Sequence, residues 1–168
     1  MAMAPPFTLA GTGPAAVALA DLLADGPAVL TFVDADCPTC ALTLGALARA
    51  RAPVTPVFQD PPALAARAAR RVGATVDALC DEAPHAVSRA YAVETIPTTV
   101  LVGRDGLEQE RVVGWDRAAL DALLRRAARH GAPASRPLDP TTPATKPGCG
   151  SRTTYTAPPA DDELEDMF

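Results

Sequence analysis

The chain has 168 residues, 48% of them hydrophobic, enough for one domain with a real core but too few for several. The net charge of −5 excludes a basic nucleic-acid-binding face, and no run approaches the roughly 20 apolar residues of a membrane span. Four Cys are too few for a secreted disulfide scaffold.

In chain order, residues 1–13 (MAMAPPFTLAGTG) carry no Lys or Arg and no long apolar run. They do not read as a signal peptide, and the expected compartment is the cytoplasm. They are expected to form a flexible N-terminus before a domain over 14–131. Residues 14–25 (PAAVALADLLAD) place Val17, Leu19, Leu22 and Leu23 near one helical face, with Gly26 and Pro27 as a stop. AVLTFV (28–33) reads as a buried strand. Pro38 opens a helix over 38–51. A second strand follows at 53–59, interrupted by Pro53 and Pro56, and then a helix from Pro61-Pro62 to Val72, closed by Gly73.

A short helix is expected over 83–91, a strand at TTVLV (98–102), a GRDG turn (103–106) and a strand at 107–113. Asp116 can cap a last helix that ends at Gly131. Strands alternating with helices imply parallel pairing first, and the hairpin adds an antiparallel edge. Residues 132–168 hold seven Pro and little aliphatic content, and contribute −3 of the net charge. Their composition predicts a disordered tail.

Cys37 and Cys40, in CPTC, sit between a strand and the first turn of a helix. Unpaired N–H groups and the positive dipole end lie there, so a thiolate at Cys37 is favoured. Cys40 lies one turn on, within disulfide reach, and would resolve a mixed disulfide formed on Cys37. Zinc competes for such a pair but wants a second one; the remaining cysteines, Cys80 and Cys149, are single, and His85 and His130 are the only histidines. No metal and no cofactor is expected. A packed, unreactive pair is the third reading.

The stretch ETIPTTVLV (94–102) places Pro97 at a strand entry. A cis proline there would leave the backbone of Ile96 free to pair with an incoming peptide; an ordinary edge-strand proline is the alternative. Cys80 reads as a small buried hydrophobe, His85 as a surface residue of a short helix, His130 as a cation favoured at a helix C-terminus, and Trp115 as core.

CPTC, Ile96-Pro97-Thr98, the VLVGRDG hairpin and the GWDRAAL helix, in that order, resemble the thioredoxin-like superfamily. PVFQD, the insertion over 61–91 and LCDEAPHAVSRAYAV are similar to its TlpA/ResA-type branch of thiol–disulfide oxidoreductases. The resemblance covers about residues 14 to 130. It implies an α/β fold with a mixed central sheet flanked by helices. Cys37 would be the attacking thiol and Cys40 the resolving one. Pro38, Thr39, Ile96, Pro97 and Thr98 would line the substrate groove.

Asp60 falls near where that branch often carries an acid, and could accept a proton from Cys40; it also reads as a helix N-cap before Pro61-Pro62. Asp36 replaces the Trp usual before the first Cys. A carboxylate there is expected to make Cys37 less acidic, and the pair more reducing, unless it points to solvent. Peroxidase chemistry is disfavoured, because neither Cys37 nor Cys80 follows the Pro and Thr that a peroxiredoxin would supply.

The implied function is reduction or exchange of disulfides in protein substrates, with an unknown reducing partner. A non-catalytic partner-binding module of the same fold is the alternative. In the tail, Cys149 lies between Gly148 and Gly150. The 18 residues from Gly131 span about 23 Å as a coil, against a domain radius of gyration of about 14 Å, so Cys149 could reach Cys37 as a third redox thiol, a regulatory cap or an intermolecular link; a linker cysteine with no role is the equal alternative. The end, DDELEDMF, alternates acidic and apolar residues as a docking segment would; a solvated acidic end is the commoner alternative.

Overall fold

The computed structural model describes residues 1–154. The expected acidic docking segment lies outside the described residues.

Strands β1 (Thr8–Leu9) and β2 (Val17–Ala18) pair antiparallel and lead into a single helical turn, α1 (Leu19–Leu22). The expected helix over 14–25 is thus cut short. Its first half is drawn into the β1–β2 ladder, and the amide of Leu19 donates to the Phe7 carbonyl at 3.0 Å. Then come β3 (Ala28–Val33), α2 (Pro38–Arg49), β4 (Val54–Phe58), α3 (Pro62–Arg71), β5 (Leu79–Cys80) and α4 (Ala86–Ala90). The described chain closes with β6 (Thr95–Ile96), β7 (Thr98–Val102), β8 (Glu108–Val113), β9 (Trp115–Asp116), α5 (Arg117–Arg129), β10 (Thr145–Lys146) and β11 (Cys149–Gly150).

The central sheet has the order β5-β4-β3-β7-β8. β3 runs parallel to β4 and β4 to β5, while β3–β7 and β7–β8 are antiparallel. β3 is buried along its whole length because both faces are covered, which is why it reads as an unbroken apolar run. Leu30, Phe32 and Val100 point into one core with Tyr91 and Leu44. Val29 and Leu101 point into the other, with Leu47, Trp115, Leu120 and Leu123. Thr31 and Thr99 are buried and hydrogen-bond each other at 3.3 Å, so their hydroxyls are satisfied inside the sheet. Phe32 is fully buried, its ring 5.2 Å from that of Tyr91. Phe32→Ala is expected to cost about 3–5 kcal/mol, read as a drop in the denaturant midpoint at unchanged slope.

The expectations for residues 1–13 and 132–154 are corrected. The N-terminus over 1–13 is tied down: Ala4 and Phe7 are buried, Ala4 N–H donates to Gly106 O at 2.8 Å, and Cys80 N–H donates to Ala10 O at 2.9 Å. Within the segment expected to be a disordered tail, residues 132–154 lie along the domain. Leu138 is buried, and its amide donates to Asp121 Oδ1 at 3.0 Å. The Trp115 indole donates to Pro143 O at 2.6 Å, and β10 pairs with β9. Proline carbonyls here accept from body side chains, so segment and body satisfy each other without an aliphatic core.

His85 is also buried rather than on the surface. Its Nδ1 lies 2.7 Å from Asp81 O, and its backbone is left-handed (φ 61°) at the N-cap of α4. Asp81, buried beside it, accepts from the amides of Val87 and Ser88. Among the described residues no helix is long and apolar enough to cross a membrane.

Candidate active site

Cys37 is the N-cap of α2 and Pro38 its first helical residue. Pro fits that position because its missing N–H would have had no helical partner. The Cys40 amide donates to Cys37 Sγ at 3.2 Å. Cys37 is 4% exposed and Cys40 fully buried. Hydrogen bonding from the Cys40 side chain does most to bring the Cys37 pKa down, to about 6. Burial opposes it, and the Cys149 thiol and the Cys40 amide assist. Cys40 is driven far the other way, chiefly by burial.

The two thiols therefore differ in acidity, Cys37 favoured as the thiolate and Cys40 held protonated. Asp36 falls under the exception stated for it, a carboxylate that points to solvent. The Asp36 side chain is 88% exposed and ion-paired to Arg152 at 3.1 Å.

A pH dependence follows. Alkylation of Cys37 by iodoacetamide is expected to reach half its maximal rate near pH 6, against about 8.5 for an ordinary thiol. Stability should follow the same group. Its pKa is lowered on folding, so the thiolate's contribution is full above about pH 9 and is lost as pH falls through about 6. Reduced protein is expected to melt progressively lower from pH 9 to pH 6, and Cys37→Ser is expected to flatten that slope.

The Ile96–Pro97 peptide is cis, one of the two alternatives open for Pro97 from the sequence. Thr98 continues into β7, Ile96 ends β6, and Cys37 Sγ lies 3.8 Å from Ile96 O. The structure thus brings Cys37, Pro38, Thr39, Cys40, Ile96, Pro97 and Thr98 to one end of the central strands β3 and β7. Thr39 is buried, and its hydroxyl donates to Pro147 O at 2.9 Å.

Asp60 is fully buried and accepts from the Ala35 amide at 2.9 Å, two residues before Cys37. It does not cap α3, whose N-cap is Pro61. Burial raises its pKa, and the Arg152 guanidinium, 2.6 Å from Oδ1, pulls it back. Cys80 is buried in the core and its thiol is pushed up to about 11 by burial, which suits a packing residue.

Cys149 Sγ stands 2.8 Å from Cys37 Sγ. Its strand, β11, pairs antiparallel with β6, Cys149 opposite Ile96 and Gly150 opposite Thr95. Gln59, Ser151 and Arg152 complete the surround and escaped the sequence reading. The Gln59 amide donates to Ser151 Oγ at 2.7 Å and accepts from the Arg152 amide at 2.9 Å. No spacing pattern marks these three, because their partners lie about 90 residues apart in sequence.

A mixed sheet, a cysteine pair split in acidity at a helix N-terminus and a proline-bearing loop facing it define a thioredoxin-like thiol-redox domain. The chain belongs to the AhpC/TSA family, which residues 1–109 match. No curated protein sequence matches it.

Among solved structures it is similar to a protein assigned as thiol:disulfide interchange protein DsbE from Chlorobium tepidum, at 25% identity and a TM-score of 0.63, over 74% of this chain and 94% of that one. It is similar to a secreted Mycobacterium tuberculosis disulfide oxidoreductase homologous to E. coli DsbE, at 21% identity and 0.58, over 71% and 95%. An uncharacterized conserved protein from Geobacillus kaustophilus matches at 24% identity and 0.64, over 93% of both chains.

Proposed function

We propose that this protein is a thiol–disulfide oxidoreductase acting on disulfides of protein substrates through Cys37 and Cys40. The observation that carries the reading is the placement of the Cys37 sulfur at the N-cap of α2, where it accepts from the Cys40 amide at 3.2 Å and lies 3.8 Å from Ile96 O. The Cys37 thiolate attacks one sulfur of a substrate disulfide. A mixed disulfide forms, and the other substrate sulfur leaves as a thiolate that takes up a proton. Cys40 then loses its proton and attacks Cys37 Sγ. The Cys37–Cys40 bond forms and the second substrate thiol is released, so two electrons pass to the substrate.

Burial makes proton loss from Cys40 the difficult step, and Asp60, a buried carboxylate of raised pKa behind the CPTC loop, is the proposed acceptor. The backbone of Ile96 holds the substrate as an added strand, with Pro38, Thr39, Pro97 and Thr98 beside it. The cytoplasm belongs to the proposal as the expected compartment, with an unidentified dithiol protein as the reducing partner.

Equilibration of the full-length protein across glutathione buffers, followed by acid trapping and mass mapping, tests this. One reversible midpoint with a Cys37–Cys40 bond is expected. Cysteines that stay reduced throughout would leave a partner-binding module instead.

A further inference from the structure

The groove edge at Ile96, which an incoming peptide would use, is already taken by this chain's own residues 145–154. β11 lies antiparallel on β6, and the Ser151 amide donates to Glu94 O at 2.9 Å, extending the ladder. Pro147 O accepts from the Thr39 hydroxyl inside the CPTC motif. The Thr153 hydroxyl donates to Val93 O at 2.7 Å. Arg152 reaches Asp34, Asp36 and Asp60 at 3.5, 3.1 and 2.6 Å. Gly148 passes so close to Ile96 that any Cβ would collide with the Ile96 carbonyl. Along this path Cys149 arrives with its sulfur 2.8 Å from that of Cys37, and closing an S–S bond of about 2.05 Å needs a shift under an ångström.

We propose that residues 145–154 are a tethered internal substrate that fills the groove, and that Cys149 is a third redox thiol forming a Cys37–Cys149 disulfide in the protein's cycle. The inference rests on the exchange chemistry above and adds its occupant and one further bond.

The step balances by exchange alone. The Cys37 thiolate attacks a substrate disulfide, and one substrate sulfur leaves and is protonated. Cys149, giving up its proton, then attacks Cys37 Sγ. The Cys37–Cys149 bond forms and the second substrate sulfur leaves as a thiol. The substrate disulfide is reduced by two electrons and the Cys37–Cys149 pair is oxidised by two. Cys40 can subsequently attack Cys37, releasing Cys149 and leaving Cys37–Cys40. The strap thereby closes the groove after each turnover, and an external peptide must lift it to enter. Its chemistry also describes that peptide: an extended strand, glycine before the cysteine, and an arginine three residues after it to meet the acidic trio.

The test uses full-length protein, its Cys40→Ser variant and its Gly148→Val variant in oxidised and reduced glutathione, with acid trapping, alkylation and mass mapping. Cys40→Ser is expected to oxidise to an intrachain Cys37–Cys149 disulfide, at least tenfold over a glutathione adduct on Cys37. Gly148→Val, which lifts the strap by steric clash, is expected to reduce the Cys37–Cys149 bond at least tenfold while Cys37–Cys40 still forms.

Glutathione on Cys37 with Cys149 free in Cys40→Ser would overturn the proposal, as would a Cys37–Cys149 bond joining two chains. If Gly148→Val does not fold, Cys40→Ser alone decides. Loss of the exchange reading itself looks different: no reversible Cys37–Cys40 bond in the wild type, whatever Cys149 does.

Discussion

Cys37→Ser is expected to lower disulfide exchange by at least about a thousandfold, because a serine hydroxyl does not ionise near neutral pH and forms no disulfide. The sulfur it removes has its pKa brought to about 6, so near pH 7 most of the wild-type population carries the reactive anion. Cys40→Ser should behave differently. The first attack survives, release by Cys40 fails, and adducts on Cys37 persist unless Cys149 removes them. Reduction of a protein disulfide, followed by intact mass after acid trapping, separates the two variants. A Cys37→Ser protein keeping a tenth of wild-type activity would move the chemistry to another thiol.

Arg152→Ala should be the most damaging change outside the cysteines and the core. Asp60 is fully buried, and the guanidinium 2.6 Å away is the main group offsetting the cost of its charge. Breaking a fully buried pair costs about 3–5 kcal/mol. The Arg152 side chain is 26% exposed, so about 2–3 kcal/mol is expected after allowance for solvent screening, or a fall of about 5–10 °C in Tm.

The loss should depend on pH. Burial raises the Asp60 pKa, so the contribution of its neutral form is present at low pH and is lost as pH rises through the folded pKa. Without Arg152 that pKa moves higher, so the deficit should be largest at neutral pH and shrink on acidification. Adding Asp60→Asn to Arg152→Ala should remove that pH dependence. Thermal melts of the three proteins between pH 4 and pH 8 check this, and a deficit independent of pH would show that Arg152 acts only through packing.

Strong local patterns made much of the fold readable. The unbroken apolar run of β3, the proline opening α2, the TTVLV of β7 and the Asp116 cap of α5 each carry their signal within a few residues. The Asp116 carboxylate does accept from the Ala119 amide, at 3.0 Å. α1 was overextended because helical spacing of Leu and Val cannot register that Val17 and Ala18 are claimed by β1.

The site was half legible. Cys37, Cys40 and Pro97 stand in motifs. Asp60 was ambiguous because an acid before Pro-Pro suits a cap, and only tertiary structure shows its carboxylate on the Ala35 amide instead. The segment 132–154 misled because polar, proline-rich composition signals a missing core but not the hydrogen bonds that hold such a segment to a finished surface. A coil calculation could say that Cys149 reaches Cys37; it could not give the register that sets Cys149 opposite Ile96.

The anchoring of the strap at Trp115 and Arg117 has a kinetic consequence. The chain is held at Pro143 by the indole and at Pro140 by the guanidinium, only a few residues before it enters the groove. A segment tied so near its own docking edge has an effective concentration of the order of millimolar or more, whatever the dilution of the protein. A free peptide that only matches the strap's contacts must reach that concentration to compete. A productive client therefore has to bind elsewhere on the surface as well, or arrive already tethered, and small thiols and stray cysteine peptides in the bulk are discriminated against by mass action.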